Sequence, residues 1–182
     1  SQFDALKPID IDADIRCVAA DAESVFYGSA AGGVYTDTTL LAELGETVSG
    51  IAILSEGRLL ARLGQRVVIL SAAGATLQTF EYTAAISAIA VENGGDRFAI
   101  GLEDGAIRLN FTRDGHFEQG YLLDEDDEVL DRPPSRAVTA LQFVTDDDGL
   151  RQLISAGAEL TMLQAPIDEG RPMPREASEM HS

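Results

Sequence analysis

Few side chains in this sequence have the chemistry of a catalytic or metal-binding site. The two histidines, His116 and His181, are widely separated, and Cys17 is the only cysteine. Two separated histidines do not favour a Ser/His/Asp triad or a multi-histidine metal site. A single thiol excludes an intramolecular disulfide. Cys17 lies in an apolar run, which favours a buried, inert thiol over a nucleophile. We therefore predict no catalytic residue, no metal site and no cofactor.

Two acidic runs are the other groups that could do chemistry. The longer run contains six carboxylates: Asp124, Glu125, Asp126, Asp127, Glu128 and Asp131. The shorter one is Asp146, Asp147 and Asp148. Neither matches the oxygen spacing of an EF-hand, so solvated loops are a better interpretation than calcium sites. Pro133 and Pro134 follow the longer run and indicate an exposed loop, residues 124–135, which we call the acidic loop. Its six acids are the predicted partner-binding residues.

The overall charge limits the classes of partner. The 31 acids and 13 bases give a formal net charge of −18, and twelve of the bases are arginines. Such a surface repels nucleic acid and anionic lipid, which predicts protein partners, including ones with a basic surface. Adaptation to high salt explains the excess of acids. A GC-rich genome, which replaces Lys by Arg, combined with one acidic loop is the simpler explanation.

Short apolar runs separated by turn residues predict an all-β chain. The clearest stretch, Ile86–Asn110, contains three such runs, separated by Asn-Gly-Gly-Asp and by Glu-Asp-Gly. This pattern is typical of antiparallel strands joined by hairpins. Thr39–Leu44 is ambiguous, because its Leu, Ala and Glu content suits either an outer strand or a helical turn.

The pattern of the first strand of this stretch occurs in four copies along the chain. Position one of the repeat is Ile15, Val48, Ile86 and Val138. Position three is always small: Cys17, Gly50, Ala88 and Ala140. Positions four and six are apolar in every copy, and they share a face by the two-residue period of a strand. Gly28 and Gly101 recur in the second strands. An apolar face opposite a small one fits the crowded inner strand of a propeller blade.

The repeat predicts a β-propeller type of fold with about four antiparallel four-stranded blades. The blades cover about 15–47, 48–85, 86–123 and 136–166, with the acidic loop before the last. Residues 1–14 are an N-terminal segment that supplies an outer strand around Phe3–Leu6, and 167–182 are a disordered tail or linker. Four blades leave three alternatives: part of a larger propeller, a propeller completed by a second copy or a partner, or a small closed ring of four blades.

The third repeat resembles a WD40 blade. Leu102–Leu109 stands in the place of that family's turn and third strand. The resemblance departs from the family at its signatures: the chain has no tryptophan, Asn110 and Phe111 stand where Trp-Asp would be, and the Gly-His signature is missing. What the resemblance implies is a propeller used as a rigid interaction platform.

Two functions follow from these features. We expect a non-catalytic protein–protein interaction scaffold built from WD40-like blades. The alternative is an enzyme or small-ligand binder with its site at the central channel. Self-association or further blades would close the propeller. We find no apolar run long enough to cross a bilayer and no signal peptide, so a cytoplasmic location is expected.

Overall fold

The structure is a computed structural model that describes residues 11–121, 126, 128–129, 131, 136–149, 151–157 and 162–166, the last group as backbone only. These residues form fifteen strands and one short 3₁₀ turn, Ser55–Gly57. Within these ranges, no helix is long and apolar enough to cross a membrane. The predicted strand around Phe3–Leu6 and the predicted tail, 167–182, lie outside the described residues.

The first two repeats each form a four-stranded antiparallel sheet in which neighbouring strands follow one another in the chain. The first sheet contains β1 (Ile15–Ala20), β2 (Val25–Ser29), β3 (Gly33–Thr36) and β4 (Thr39–Glu43). The second contains β5 (Gly50–Ile53), β6 (Leu59–Arg62), β7 (Arg66–Leu70) and β8 (Thr76–Glu81). The ambiguous Thr39–Leu44 segment is therefore a strand, paired with β3.

The third repeat also forms a four-stranded sheet, and the described residues of the fourth form a three-stranded one. The third sheet contains β9 (Ile86–Val91), β10 (Arg97–Leu102), β11 (Ile107–Arg113) and β12 (His116–Tyr121). The fourth contains β13 (Val138–Thr145), β14 (Arg151–Gly157) and β15 (Met162–Pro166). The strand order is again sequential. The predicted all-β fold, with four antiparallel propeller-type sheets, is confirmed.

A β-bulge recurs at position two of the repeat. Positions one and three pair with adjacent residues on the second strand in the first, third and fourth sheets, so the residue between them is extra. Ser87, the extra residue of β9, donates its hydroxyl to the Gly101 carbonyl at 3.2 Å. In the second sheet Ser49 donates both its backbone N–H and its hydroxyl to the Arg62 carbonyl. Because a bulge re-aims the neighbouring side chains, it changes the direction of the position-one residue.

The chain divides into two compact units, 1–79 and 80–182. In the first unit, the core contains buried residues of β3, β6 and β7 together with Val48, which precedes β5. In the second unit, Val138 at the start of β13 is fully buried with Ala88, Ala99 and Leu153. Each core therefore includes the position-one residue of the second repeat in its unit.

Candidate partner-binding site at the acidic connection

The acidic loop leaves and rejoins the third sheet beside one arginine. Tyr121, the last residue of β12, pairs with Arg108 of β11. The Arg108 guanidinium lies over the Tyr121 ring, 4.4 Å from its centre. Its Nη1 also donates to Asp131 Oδ1 at 3.1 Å. A cation over an aromatic face and an ion pair both favour this position of the guanidinium. Arg108 therefore holds both ends of the segment between residues 121 and 131.

Asp131 contributes a second anchor. Its Oδ1 accepts a hydrogen bond from the backbone N–H of Ile107 at 2.8 Å. Ile107 begins β11, directly after a tight turn in which Asp104 Oδ1 accepts the Ala106 N–H and Gly105 has φ of 95°. Such a positive φ is the conformation that favours glycine. The connection is thus attached to a rigid hairpin, in the manner of a loop whose two ends lie close together.

The structure describes three of the six predicted partner-binding acids, and these three are of two kinds. Asp126 and Glu128 are exposed, whereas Asp131 is half-buried and bonded to β11. Asp124, Glu125 and Asp127 lie outside the described residues. Sequence reasoning placed all six acids in one surface and did not identify Arg108 or Tyr121 as anchors. The signal for them is strand register, which opposes Arg108 to Tyr121 and becomes visible only once β11 and β12 are paired.

A buried polar pair lies beside this anchor. Asn110 is fully buried and Tyr82 is nearly so. Burial raises the pKa of the Tyr82 hydroxyl, and the neighbouring Asn110 side chain and the Arg108 charge offset this only partly. A phenol whose pKa is raised stays protonated at neutral pH, so Tyr82 is a packing group rather than a general base.

The opposite end of the third sheet carries a second cluster of charges. Glu92 Oε1 accepts from Arg151 Nη1 at 2.7 Å, and Glu92 Oε2 lies 3.5 Å from Arg97 Nη1. The side chains of Glu92 and Arg97 are only 12% and 13% exposed. Burial lowers the pKa of Arg97; the Arg151 charge lowers it further, and the Glu92 carboxylate raises it. The Glu92 carboxylate thus contacts two arginines within the second unit.

The remaining reactive groups are in structural positions. Cys17 is half-buried and its Sγ donates to the Val48 carbonyl at 3.4 Å. Burial raises the pKa of the Cys17 thiol, and a hydrogen bond from the Gly28 backbone partly opposes this. The thiol therefore stays protonated, which disfavours nucleophilic chemistry. Among the described residues, no group of three or more His, Cys, Asp or Glu side chains could hold a metal ion.

No protein-family model matches the chain, and no curated protein matches it. Solved structures do. The computationally designed Ika4 protein superposes with a TM-score of 0.63 at 20% identity, over 89% of this chain and 99% of Ika4. The computationally designed Ika8 protein gives 0.64 at 19% identity, over 90% of this chain and 50% of Ika8. The β-propeller domain of Cps50 (Swd1) from Myceliophteria thermophila gives 0.64 at 14% identity, over 88% of this chain and 55% of that domain.

At these identities the likeness shows the fold alone, which is that of β-propeller repeats. The chain spans about half the length of Ika8 and of the Swd1 domain and nearly all of Ika4.

Proposed function

We propose that this chain is a non-catalytic protein–protein interaction scaffold of WD40-like blades, whose acidic loop binds a protein partner with a basic surface. One observation supports this most directly: Arg108 and Asp131 attach the loop to a rigid β-sheet, while Asp126 and Glu128 remain exposed. A charged segment attached at both ends has less conformational freedom to lose when it binds than a free tail has.

Charge gives the loop its preference among partners. Carboxylates at the rim of an interface speed association with a basic surface and disfavour acidic partners. The net charge of −18 adds a long-range field of the same sign. Because salt screens exposed charges over about 8 Å at physiological ionic strength, binding through this loop is expected to weaken as salt rises.

The test compares two runs of acids that lose the same number of charges. One variant carries Asp126→Asn, Asp127→Asn and Glu128→Gln in the acidic loop. The matched control carries Asp146→Asn, Asp147→Asn and Asp148→Asn in the turn between β13 and β14. Asp131 is kept in both, so that the anchor to β11 remains.

Each protein is used to capture partners from native lysate, and a captured partner is then purified and titrated by calorimetry. We expect the loop variant to lose at least tenfold in affinity, and the control variant to bind like the original protein. Equal affinities for the loop variant and the original protein would overturn the proposal. Equal losses in both variants would also overturn it, because they would show a response to net charge rather than to this loop.

The alternative function, a ligand or catalytic site at the central channel, is not favoured by any particular contact among the described residues. Its test is a thermal-shift screen of metabolites. A cytoplasmic location likewise stays a prediction from the sequence.

A further inference from the structure

One packing contact is used twice within the chain. In the first unit, a β-carbon placed on Gly28 would lie 2.5 Å from Val48 Cγ1 and 2.6 Å from Cys17 Sγ. Val48 is position one of the second repeat, and Cys17 and Gly28 are paired across β1 and β2. The glycine therefore leaves the space into which the valine of the next repeat packs.

The second unit repeats this contact with equivalent residues. Gly101 pairs with Ala88 across β10 and β9, as Gly28 pairs with Cys17. A β-carbon on Gly101 would lie 2.6 Å from Val138 Cβ. Val138, like Val48, is fully buried. A valine at position one against a small cross-strand pair is thus the rule by which one sheet packs on the preceding sheet in both units.

Both halves of the same contact also occur at exposed positions among the described residues. Ile15 is position one of the first repeat, yet it is 36% exposed, and Val18 on the same strand is 60% exposed. On the fourth sheet, Ala140 pairs with Ala156, the positions equivalent to Cys17 and Gly28. Ala140 is exposed, whereas its equivalent in the third repeat, Ala88, is buried.

We infer that the chain self-associates head to tail: β1 of one copy packs through Ile15 on the Ala140–Ala156 pair of a second copy. A second copy is the occupant that the repeat favours, because each copy carries both surfaces and the contact continues one that each unit already makes. Head-to-tail contacts close into a ring when their rotation permits. Two copies of four sheets would bring eight blades together, within the usual range of about four to eight for propellers.

Charge modifies the stability of this dimer. Each copy carries a net charge of −18, so two copies repel one another at long range. Salt screens that repulsion but leaves the apolar contact of Ile15 intact. The dimer is therefore expected to tighten as salt rises, the opposite of the response expected for binding through the acidic loop.

Sedimentation equilibrium of the full chain at several concentrations, in low and high KCl, tests the inference. We expect twice the mass of one chain, with a dissociation constant at least tenfold lower in high salt. The mass of a single chain at every concentration and salt would overturn it, whether the propeller then closes within one chain or through another protein.

Variants locate the contact. Ile15→Glu and Ala140→Arg each place a charge in the contact, so either change alone is expected to halve the observed mass. The double variant brings Glu and Arg together and should restore the dimer. Leu77→Arg is the control, since Leu77 is 51% exposed on β8 and belongs to neither β1 nor the fourth sheet. A dimer that survives Ala140→Arg, or that is lost equally in Leu77→Arg, would contradict the assignment.

Two further controls keep the result interpretable. Circular dichroism checks folding; if Ile15→Glu unfolds the protein, Ala140→Arg decides alone, because Ala140 is already exposed. The acidic-loop variant should remain dimeric. The self-association and the proposed partner binding depend on different residues, so either can fail while the other holds.

Discussion

The carboxylate of Glu92, directly after β9, accepts a 2.7 Å hydrogen bond from Arg151, at the start of β14. The other carboxylate oxygen of Glu92 is paired with Arg97, so one acid contacts two arginines, one from the third sheet and one from the fourth. The Glu92 and Arg97 side chains are largely buried. Removing one charge of a buried pair destabilises a protein more than removing one charge of an exposed pair, because the remaining charge is left in a poorly solvated place.

The Glu92→Gln substitution should therefore be costly. It removes the carboxylate that contacts both Arg97 and Arg151, and we expect the free energy of unfolding to fall by about 3 kcal/mol. Glu118→Gln is the matched control, because Glu118 pairs with Arg113 at the surface. Its cost should be at most about 1 kcal/mol. Urea denaturation of both variants provides the comparison, and equal costs would contradict a buried role for Glu92.

The Gly101→Ala substitution tests the contact between repeats. The added β-carbon collides with Val138, so the free energy of unfolding should fall by about 1–3 kcal/mol. Trimming the valine as well, in Gly101→Ala/Val138→Ala, removes part of the collision and should give a favourable coupling energy of at least about 0.5 kcal/mol. Gly64→Ala is the control, because an added β-carbon there meets only Glu46 Oε2 at 3.5 Å. A coupling energy of zero would show that Gly101 and Val138 act independently.

The repeat was predictable because its signals are local. Apolar runs and turn residues indicated strands such as β9, β10 and β11, and the small residue at position three marked the surface on which sheets pack. The bulge at position two was not predictable. It is a property of pairing, in which Ile86 and Ala88 oppose the adjacent residues Leu102 and Gly101, and the period of a single strand does not reveal it.

The second repeat shows a further limit of sequence comparison. Gly28 and Gly101 were recognised as equivalent, but the corresponding residue in the second sheet is Arg62, which pairs with Gly50. In the second sheet the glycine of the pair is therefore on the first strand rather than on the second. A β-carbon on Gly50 would lie 3.3 Å from Arg62 Cβ, which shows that the two positions share one space. Compensation of this kind becomes visible only when the strand register is known.

The candidate site was predictable only in part. The density of carboxylates identified the acidic loop as exposed, and Asp126 and Glu128 agree with that. The inward role of Asp131 depends on the Ile107 N–H at the start of β11, 24 residues away in the chain. Composition cannot distinguish an acid that anchors a loop from one that faces solvent.

The Asp131→Ala substitution separates these two roles. It removes the acceptor of the Ile107 N–H and the partner of Arg108, so the free energy of unfolding should fall by about 1–3 kcal/mol. Hydrogen exchange of the Ile107 amide, followed by NMR, should accelerate at least tenfold. Asp147→Ala, an exposed acid in the shorter run, should change stability by no more than about 0.5 kcal/mol. Unchanged exchange at Ile107 would contradict the anchoring role of Asp131.

Alkaline pH tests the environment of Tyr82. Burial raises the pKa of its hydroxyl in the folded protein above the value of about 10 of an unfolded chain. The folded state therefore holds the proton more tightly. The stability that this provides is fully present below pH 10 and is lost as the pH rises from there towards the folded pKa. The slope contributed by this one group approaches about 1.4 kcal/mol per pH unit.

The Tyr82→Phe variant lacks the titrating group. Between pH 9 and pH 11 its free energy of unfolding should fall less steeply than that of the original protein, whatever its stability at neutral pH. Tyr27→Phe is the control for the loss of a tyrosine hydroxyl, because Tyr27 is less buried than Tyr82. Urea denaturation at each pH gives both slopes. Identical slopes for the original protein and Tyr82→Phe would show that the Tyr82 hydroxyl is not held protonated by burial.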